Sequence, residues 1–317
     1  MKKWSLIGLA LVFTIGFASA AAALQSVQLV LATGGTAGTY YPFGGAMAKI
    51  WNSKIPGMNV TAQATGASAE NVRLVNKGEA ELALVQSDTI DFAFNAKEAF
   101  KEKLQGMRAV AVLYPEIIQI VARGDSPAKT FGDLKGARIG VGAPGSGTEA
   151  NFRQLLDVYG MKKEDVKPQY LSFSESAEQF KDKHIDAFFV VSGIPNSAIM
   201  DVAAMHSIKI LAIEDDKIAK LEQKYPFLAL ARIPGGLYKG QSSEVKTMAV
   251  MAVLIASSQM KEDVAYNLTK TLFENQSELA AAHAKGKEIN IRTAVKGVSI
   301  PFHPGAAKFY KEKGVMK

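Results

Sequence analysis

Val27-Gln28-Leu29-Val30-Leu31, followed by Ala32-Thr33-Gly34-Gly35-Thr36-Ala37-Gly38-Thr39-Tyr40-Tyr41, reads as a buried parallel strand, a glycine-rich turn and the mouth of a helix. Far along the chain the same order returns. Residues 137–141 form a short apolar run, and Gly140-Val141-Gly142-Ala143-Pro144-Gly145-Ser146-Gly147-Thr148-Glu149 leads into an amphipathic stretch. Glycine permits the tight turn and the close backbone approach, while Thr and Ser hydroxyls cap the helix and donate to a guest. Helix N-termini favour anions, because unpaired N–H groups and the helix dipole point the same way. Two such loops, far apart in sequence, imply one small acidic molecule held between two domains.

Strand-like and helix-like segments alternate outward from the first loop: helix over 42–52, strand over 58–64, helix over 69–76, strand over 80–85. That βαβαβ order predicts a parallel, doubly wound sheet whose ligands sit at the carboxyl ends of the strands. Thr65-Gly66-Ala67-Ser68 and Gln86-Ser87-Asp88 fall at those ends. Extended runs at 109–113 and 117–123, joined by Tyr114-Pro115-Glu116, carry the chain out of the first lobe. A second block follows, with strands expected at 137–141, 170–173 and 185–191 and helices at 149–159 and 174–181. Residues 198–206 read as a helix and 208–213 as a strand. A return crossing is expected near residue 230, then a strand over 248–256 and a helical stretch over 261–283. The expected architecture is therefore α/β, two lobes each built on a doubly wound sheet and joined by two hinge strands, the type II layout of a hinged binding protein. Lobe 1 is expected to take residues 24–113 and 237–317, and lobe 2 residues 114–236.

At 317 residues the chain exceeds the usual size of a single core, which also argues for two domains. The beginning departs from the composition of a soluble globule. Lys2 and Lys3 form a positive n-region, residues 6–17 an apolar h-region, and Ala18-Ser19-Ala20 a small-residue cleavage pattern. Residues 1–23 thus read as a cleaved secretory signal; the alternative, an uncleaved anchor, fits less well because the apolar run ends in small residues rather than charges. With no cysteine there is neither a disulfide framework nor a lipoprotein anchor, and a periplasmic location is expected. The net charge of +7 falls to about +5 without Lys2 and Lys3, and the basic residues are scattered, so no nucleic-acid stripe is expected.

Catalytic signatures fail residue by residue. Gly142 to Thr148 reads G-x-x-x-x-G-T, but Thr148 stands where a P-loop carries its lysine. Gly35, Gly38 and Gly44 miss the dinucleotide spacing. Pro144 breaks the G-x-S-x-G elbow around Ser146. His184, His206, His283 and His303 are widely spaced and read as locally bonded rather than as metal ligands. No nucleophile, metal or cofactor site is expected. Tyr40, at the helix mouth, suits a pocket that closes on a small guest, whereas Tyr41 reads as a core aromatic. Gln86 and Asp88 either cap the next helix or touch ligand; Glu149 reads as a first-turn helix stabiliser. Arg73, Arg123 and Arg153 are candidates for a carboxylate clamp or solvated helix and strand-end residues.

Thr33 to Pro42, Gln86-Ser87-Asp88, Leu113-Tyr114-Pro115-Glu116, Gly142 to Glu149, Tyr170-Leu171-Ser172-Phe173, Ile185-Asp186-Ala187-Phe188-Phe189 and His303-Pro304-Gly305-Ala306 together closely resemble the TAXI family of solute receptors for TRAP transporters. The resemblance runs from about residue 27 to 314. It implies a two-lobed, monomeric, extracytoplasmic binder that hands a small carboxylate, such as glutamate or a 2-oxoacid, to an ion-driven integral membrane permease without chemistry of its own. By matched position it points to Thr36, Thr39, Tyr40, Ser68, Gln86, Tyr114, Ser146, Thr148 and Ser192 as pocket residues. No Arg lies in either glycine loop, which favours neutral donors and helix termini as the anion site. Two further readings stay open: a ligand-sensing protein that docks on a membrane signalling partner, and an enzyme of the periplasm.

Overall fold

Residues 26–317 are described by a computed structural model of the protein; the segment 1–23 read as a signal lies outside the described residues. The first half alternates β1 (Val27–Ala32), α1 (Tyr40–Lys54), β2 (Met58–Gln63), α2 (Ser68–Lys77), β3 (Leu82–Gln86) and α3 (Ser87–Asn95). A long strand, β4 (Met107–Arg123), then leads to β5 (Arg138–Gly140), α4 (Gly147–Val158), β6 (Lys167–Gln169), α5 (Phe173–Lys181), β7 (Ala187–Ser192), α6 (Ser197–Met205), β8 (Ile208–Leu211), α7 (Asp215–Lys224) and β9 (Ala229–Ile233). A second long strand, β10 (Val245–Ser257), returns to α8 (Glu262–Glu274), α9 (Gln276–Ala282) and α10 (Pro304–Glu312).

The strands form one curled sheet in the order β2-β1-β3-β10-β4-β7-β5-β6, with β8 added on β4 and β9 on β10. In each half the first strand lies between the second and third in parallel, and the third pairs antiparallel with a long crossing strand: β3 with β10, β7 with β4. The two long strands therefore make a mixed sheet of what parallel winding alone would give. Four apolar clusters cover its faces, two in each half. Trp51, Phe43 and Phe309 anchor one face of the first half, and Val72, Ile90 and Phe92 the other. Phe131, Phe152 and Phe189 anchor one face of the second half, and Phe180, Phe188 and Ile199 the other.

The crossings are where cluster membership changes. On β4, Tyr114 belongs to the first half and Ile117 to the second; on β10, Val250 belongs to the second and Ala252 to the first. Pro115 and Glu116 pair with Met251 and Val250 at this waist. The return crossing thus falls later than the boundary expected at 237. Residues 229–233 are no crossing strand: β9 pairs antiparallel with the start of β10, and Tyr238, Val245 and Ala249 still pack in the second half. The sheet geometry also fixes the site, because all six parallel-block strands point their carboxyl ends at the gap between the halves.

Candidate functional site

A cavity of about 80 Å³ lies in that gap, several times the ~10–15 Å³ that one water needs. The β1–α1 loop contributes Gly34, Gly35, Gly38, Thr39 and Tyr40, and the β2–α2 loop contributes Thr65 to Ser68. Gln86 comes from the end of β3, Ala143 and Ser146 to Thr148 from the β5–α4 loop, Ser172 and Phe173 from the start of α5, and Val191 and Ser192 from the end of β7. Five helices thus bring a cap or first residue to one small space: Tyr40 of α1, Ser68 of α2, the cap Gln86 of α3, Gly147 of α4 and Phe173 of α5. The caps of α1 and α2, Thr39 and Ala67, make no side-chain cap bond, so first-turn N–H groups there stay available except that of Ala69, which donates to Gly145 O. Ser146 and Ser172 instead bond the N–H of Glu149 and Glu175.

Of the nine residues expected in the pocket, the structure brings seven together: Thr39, Tyr40, Ser68, Gln86, Ser146, Thr148 and Ser192. Two fall elsewhere. Thr36 is exposed on the tip of the β1–α1 turn. Tyr114 is fully buried, edge-on to Phe43 at 5.2 Å between ring centres. A register shift between β4 and β10 places two residues, Leu113 and Tyr114, in one core cluster; without that bulge Tyr114 would alternate in facing with Leu113. Tyr41, read as a core aromatic, is 37% exposed because it sits on the outer side of α1's first turn. None of the three candidate clamp arginines lines the cavity. Arg73 stacks on Phe100, Arg123 on Phe180, and Arg153 pairs with Glu149, whose other oxygen accepts from the Gly145 N–H.

Beside Val191 of β7, three lining residues escaped the sequence reading. Ser172 and Phe173 lie in the cavity because β6 ends at Gln169, earlier than the strand expected at 170–173. The capping box Ser172-x-x-Glu175 was the signal for a helix starting there. Glu116 is the third, an acid 2% exposed at the floor of the cleft whose Oε2 accepts from the Tyr40 hydroxyl at 2.6 Å. Burial pushes its carboxyl up to about 8; the Tyr40 bond and the Lys285 charge pull the other way, and the Asp88 charge adds to the rise. A single acid inside an otherwise apolar strand was its sequence signature.

The two halves touch around this cavity. Ala69 N donates to Gly145 O at 3.1 Å, and Asn196 Nδ2 and Ser197 Oγ donate to Ala37 O at 3.1 and 3.0 Å. Thr39 Oγ1 reaches Gly193 O at 3.4 Å. Behind the cavity, Asp88 Oδ2 accepts from Asn151 Nδ2 at 2.9 Å and Gln154 Nε2 at 3.2 Å. These contacts define a closed form. Among the described residues there is no cluster of three His, Cys, Asp or Glu that could hold a metal ion, and no helix is long and apolar enough to cross a membrane.

Two α/β halves, two crossing strands and a cleft lined by strand ends define the fold of the periplasmic binding proteins. The chain shares that fold with a Bordetella bronchiseptica protein (18% identity, TM-score 0.55, covering 92% of this chain and 90% of that one). An ancestral arginine-binding protein bound to arginine matches at 13% identity and TM-score 0.52 over 84% of this chain and 100% of that one. The ligand-binding component of an ABC-type import system from Staphylococcus aureus matches at 12% identity and TM-score 0.51, over 91% and 92%. Residues 31–314 match the model of the NMT1-like family, and the chain belongs to that family.

Proposed function

We propose that this protein is an extracytoplasmic solute-binding receptor that closes on a small carboxylate and delivers it to an ion-driven membrane permease of the TRAP type, as a TAXI-class receptor. The observation that carries the reading is the convergence of five helix N-termini on a small cavity that no Lys or Arg lines. Such termini supply N–H donors and a positive potential to an anion. Seven sequence-matched residues around one cavity support the site assignment. The hinge reading rests on the waist at Pro115–Glu116 and Val250–Met251, with residues 26–114 and 251–317 as one lobe and 117–250 as the other. Release of the exported chain into the periplasm follows from the signal pattern at 1–23. The family and fold of binding proteins, together with the failed catalytic motifs, argue against an enzyme.

Thermal-shift screening of the purified protein against organic and amino acids tests the reading, since a ligand at 100 times its dissociation constant adds roughly 2.7 kcal/mol. The expected result is saturable stabilisation by at least one short carboxylate, with the compound recovered unchanged. Turnover of the compound, or no stabilisation by any carboxylate, contradicts it. A multi-span permease gene beside this one separates a transport receptor from a sensor that docks on a signalling protein.

A further inference from the structure

Glu116 is an acid in a cavity that otherwise offers donors to an anion. It is buried and lines the cavity; its Oε2 accepts from the Tyr40 hydroxyl at 2.6 Å, while Oε1 has no protein partner among the described residues. No Lys or Arg lines the cavity with it. Lys285, a cation near enough to influence it, is bonded to Glu288 at 2.6 Å and stands outside the lining.

Two carboxylates side by side in a buried space, with no cation between them, repel, and one of them has to hold a proton. The guest sits among N–H groups and hydroxyls that favour its charged form, so the proton belongs on Glu116. The groups facing Glu116 agree. Tyr40 of α1 keeps its own proton, because burial pushes its hydroxyl well above the usual range; it therefore donates to Oε2 and leaves Oε1 to carry the acid hydrogen. Burial raises the Tyr114 hydroxyl, two residues back on β4, in the same way. Asp88 of α3 opposes ionisation of Glu116 more than Lys285 favours it, and burial outweighs both. Its strand neighbour on β10, Val250, is apolar, and apart from Tyr40 no other residue lining the cavity titrates.

We propose that Glu116 meets the guest as a neutral acid, its Oε1 hydroxyl donating to the guest carboxylate, so that capture is linked to a proton and the receptor loses its grip in alkaline medium. An O–H bond to a carboxylate is charge-assisted, short and strong, and it is lost whole when the proton leaves. This rests on the proposed reading of the cleft as a small-carboxylate site.

Calorimetric titration of the full exported protein tests it, with pyruvate, 2-oxoglutarate, L-alanine and L-glutamate as probes, whose carboxylates stay charged from pH 6 to 9. With the Glu116 carboxyl pushed up to about 8, the affinity of a probe that binds should fall about tenfold or more between those two pH values. In buffers of different ionisation enthalpy at pH 8, binding should take up about half a proton or more. Glu116→Gln, neutral at every pH, should remove both the fall and the uptake. A wild-type affinity equal at pH 6 and 9 without proton uptake, or a Glu116→Gln protein that keeps the fall, overturns the inference while leaving the carboxylate reading in place. If no probe binds at either pH, the carboxylate reading falls and the inference with it. Should the variant not fold, the wild-type fall and uptake decide, because no other residue lining the cavity titrates in that range.

Discussion

Gly147→Ala isolates closure from folding. Gly147 is the first residue of α4 and its φ is not in the left-handed region, so alanine suits it and improves local helix propensity. In the closed form, however, a Cβ there would lie 1.8 Å from Gln86 Oε1, 2.2 Å from its Cδ and 3.0 Å from its Cγ. Those atoms belong to the opposite half of the molecule. Gln86 has to swing away, and the open space beside it is the cavity, so the methyl group competes with both closure and guest. Overpacking of this kind costs about 1–3 kcal/mol, which should appear as a loss of affinity of roughly 5- to 150-fold. Calorimetry on the variant measures that loss, and thermal melting without ligand checks that the fold stands. The double variant Gly147→Ala/Gln86→Ala removes the clash, so its loss of affinity should be smaller than the product of the two single losses. Wild-type affinity in Gly147→Ala refutes the reasoning, for it would mean that ligand binds without bringing α4 against Gln86.

Thr148, buried at the cavity with no side-chain hydrogen bond among the described residues, should donate to the guest; Thr148→Ala should weaken binding by about 1 to 3 kcal/mol, read by calorimetry, with the empty fold unchanged. Asp88→Asn leaves one of the donors from Asn151, Gln154 or the Thr89 N–H unmet in the closed form and should lower affinity about tenfold; unchanged affinity removes this contact from closure. Glu116 titrates from about 8 in the fold against an ordinary 4.5, so between those values the folded state holds the extra proton. Its contribution is complete below about pH 4.5 and is lost as pH rises through 8, at up to ~1.4 kcal/mol per pH unit. Denaturant titrations of ligand-free protein from pH 5 to 9 should show that decline, and Glu116→Gln should flatten it; an equal slope in the variant assigns the effect elsewhere.

The fold was legible because its signals are local. Apolar runs, glycine turns and caps fall in βαβ order, and the helix mouths at the cleft announce themselves by Thr, Ser or Gly after a strand. What the sequence left open depends on pairing between distant strands. Whether residues 229–233 cross or fold back is decided by their register with 245–249, which no local pattern encodes. Tyr114 was lost to the core through a bulge against β10, again a property of two strands together. The site divides the same way. Loop residues that end strands were found by position, whereas Glu116 was read as part of a connector, because nothing in Tyr114-Pro115-Glu116 says that the waist of the sheet is also the floor of the cleft. Its charge inside an apolar run was the one available cue. Ser172 shows a signal present but outweighed: the apolar look of Tyr170 to Phe173 suggested a strand, and the capping box beginning at Ser172 was the better guide.

Closure of two lobes on a small acid is the center of the account, and small-angle X-ray scattering measures it most directly. The ligand has to bind the closed form better than the open one in order to shift the population. The contacts Ala69–Gly145, Ala37–Asn196 and Asp88–Asn151 exist only when the halves meet. Addition of a saturating carboxylate that calorimetry has shown to bind should therefore reduce the radius of gyration of the protein. A ligand that binds tightly and leaves the scattering curve unchanged would contradict the hinged-receptor mechanism.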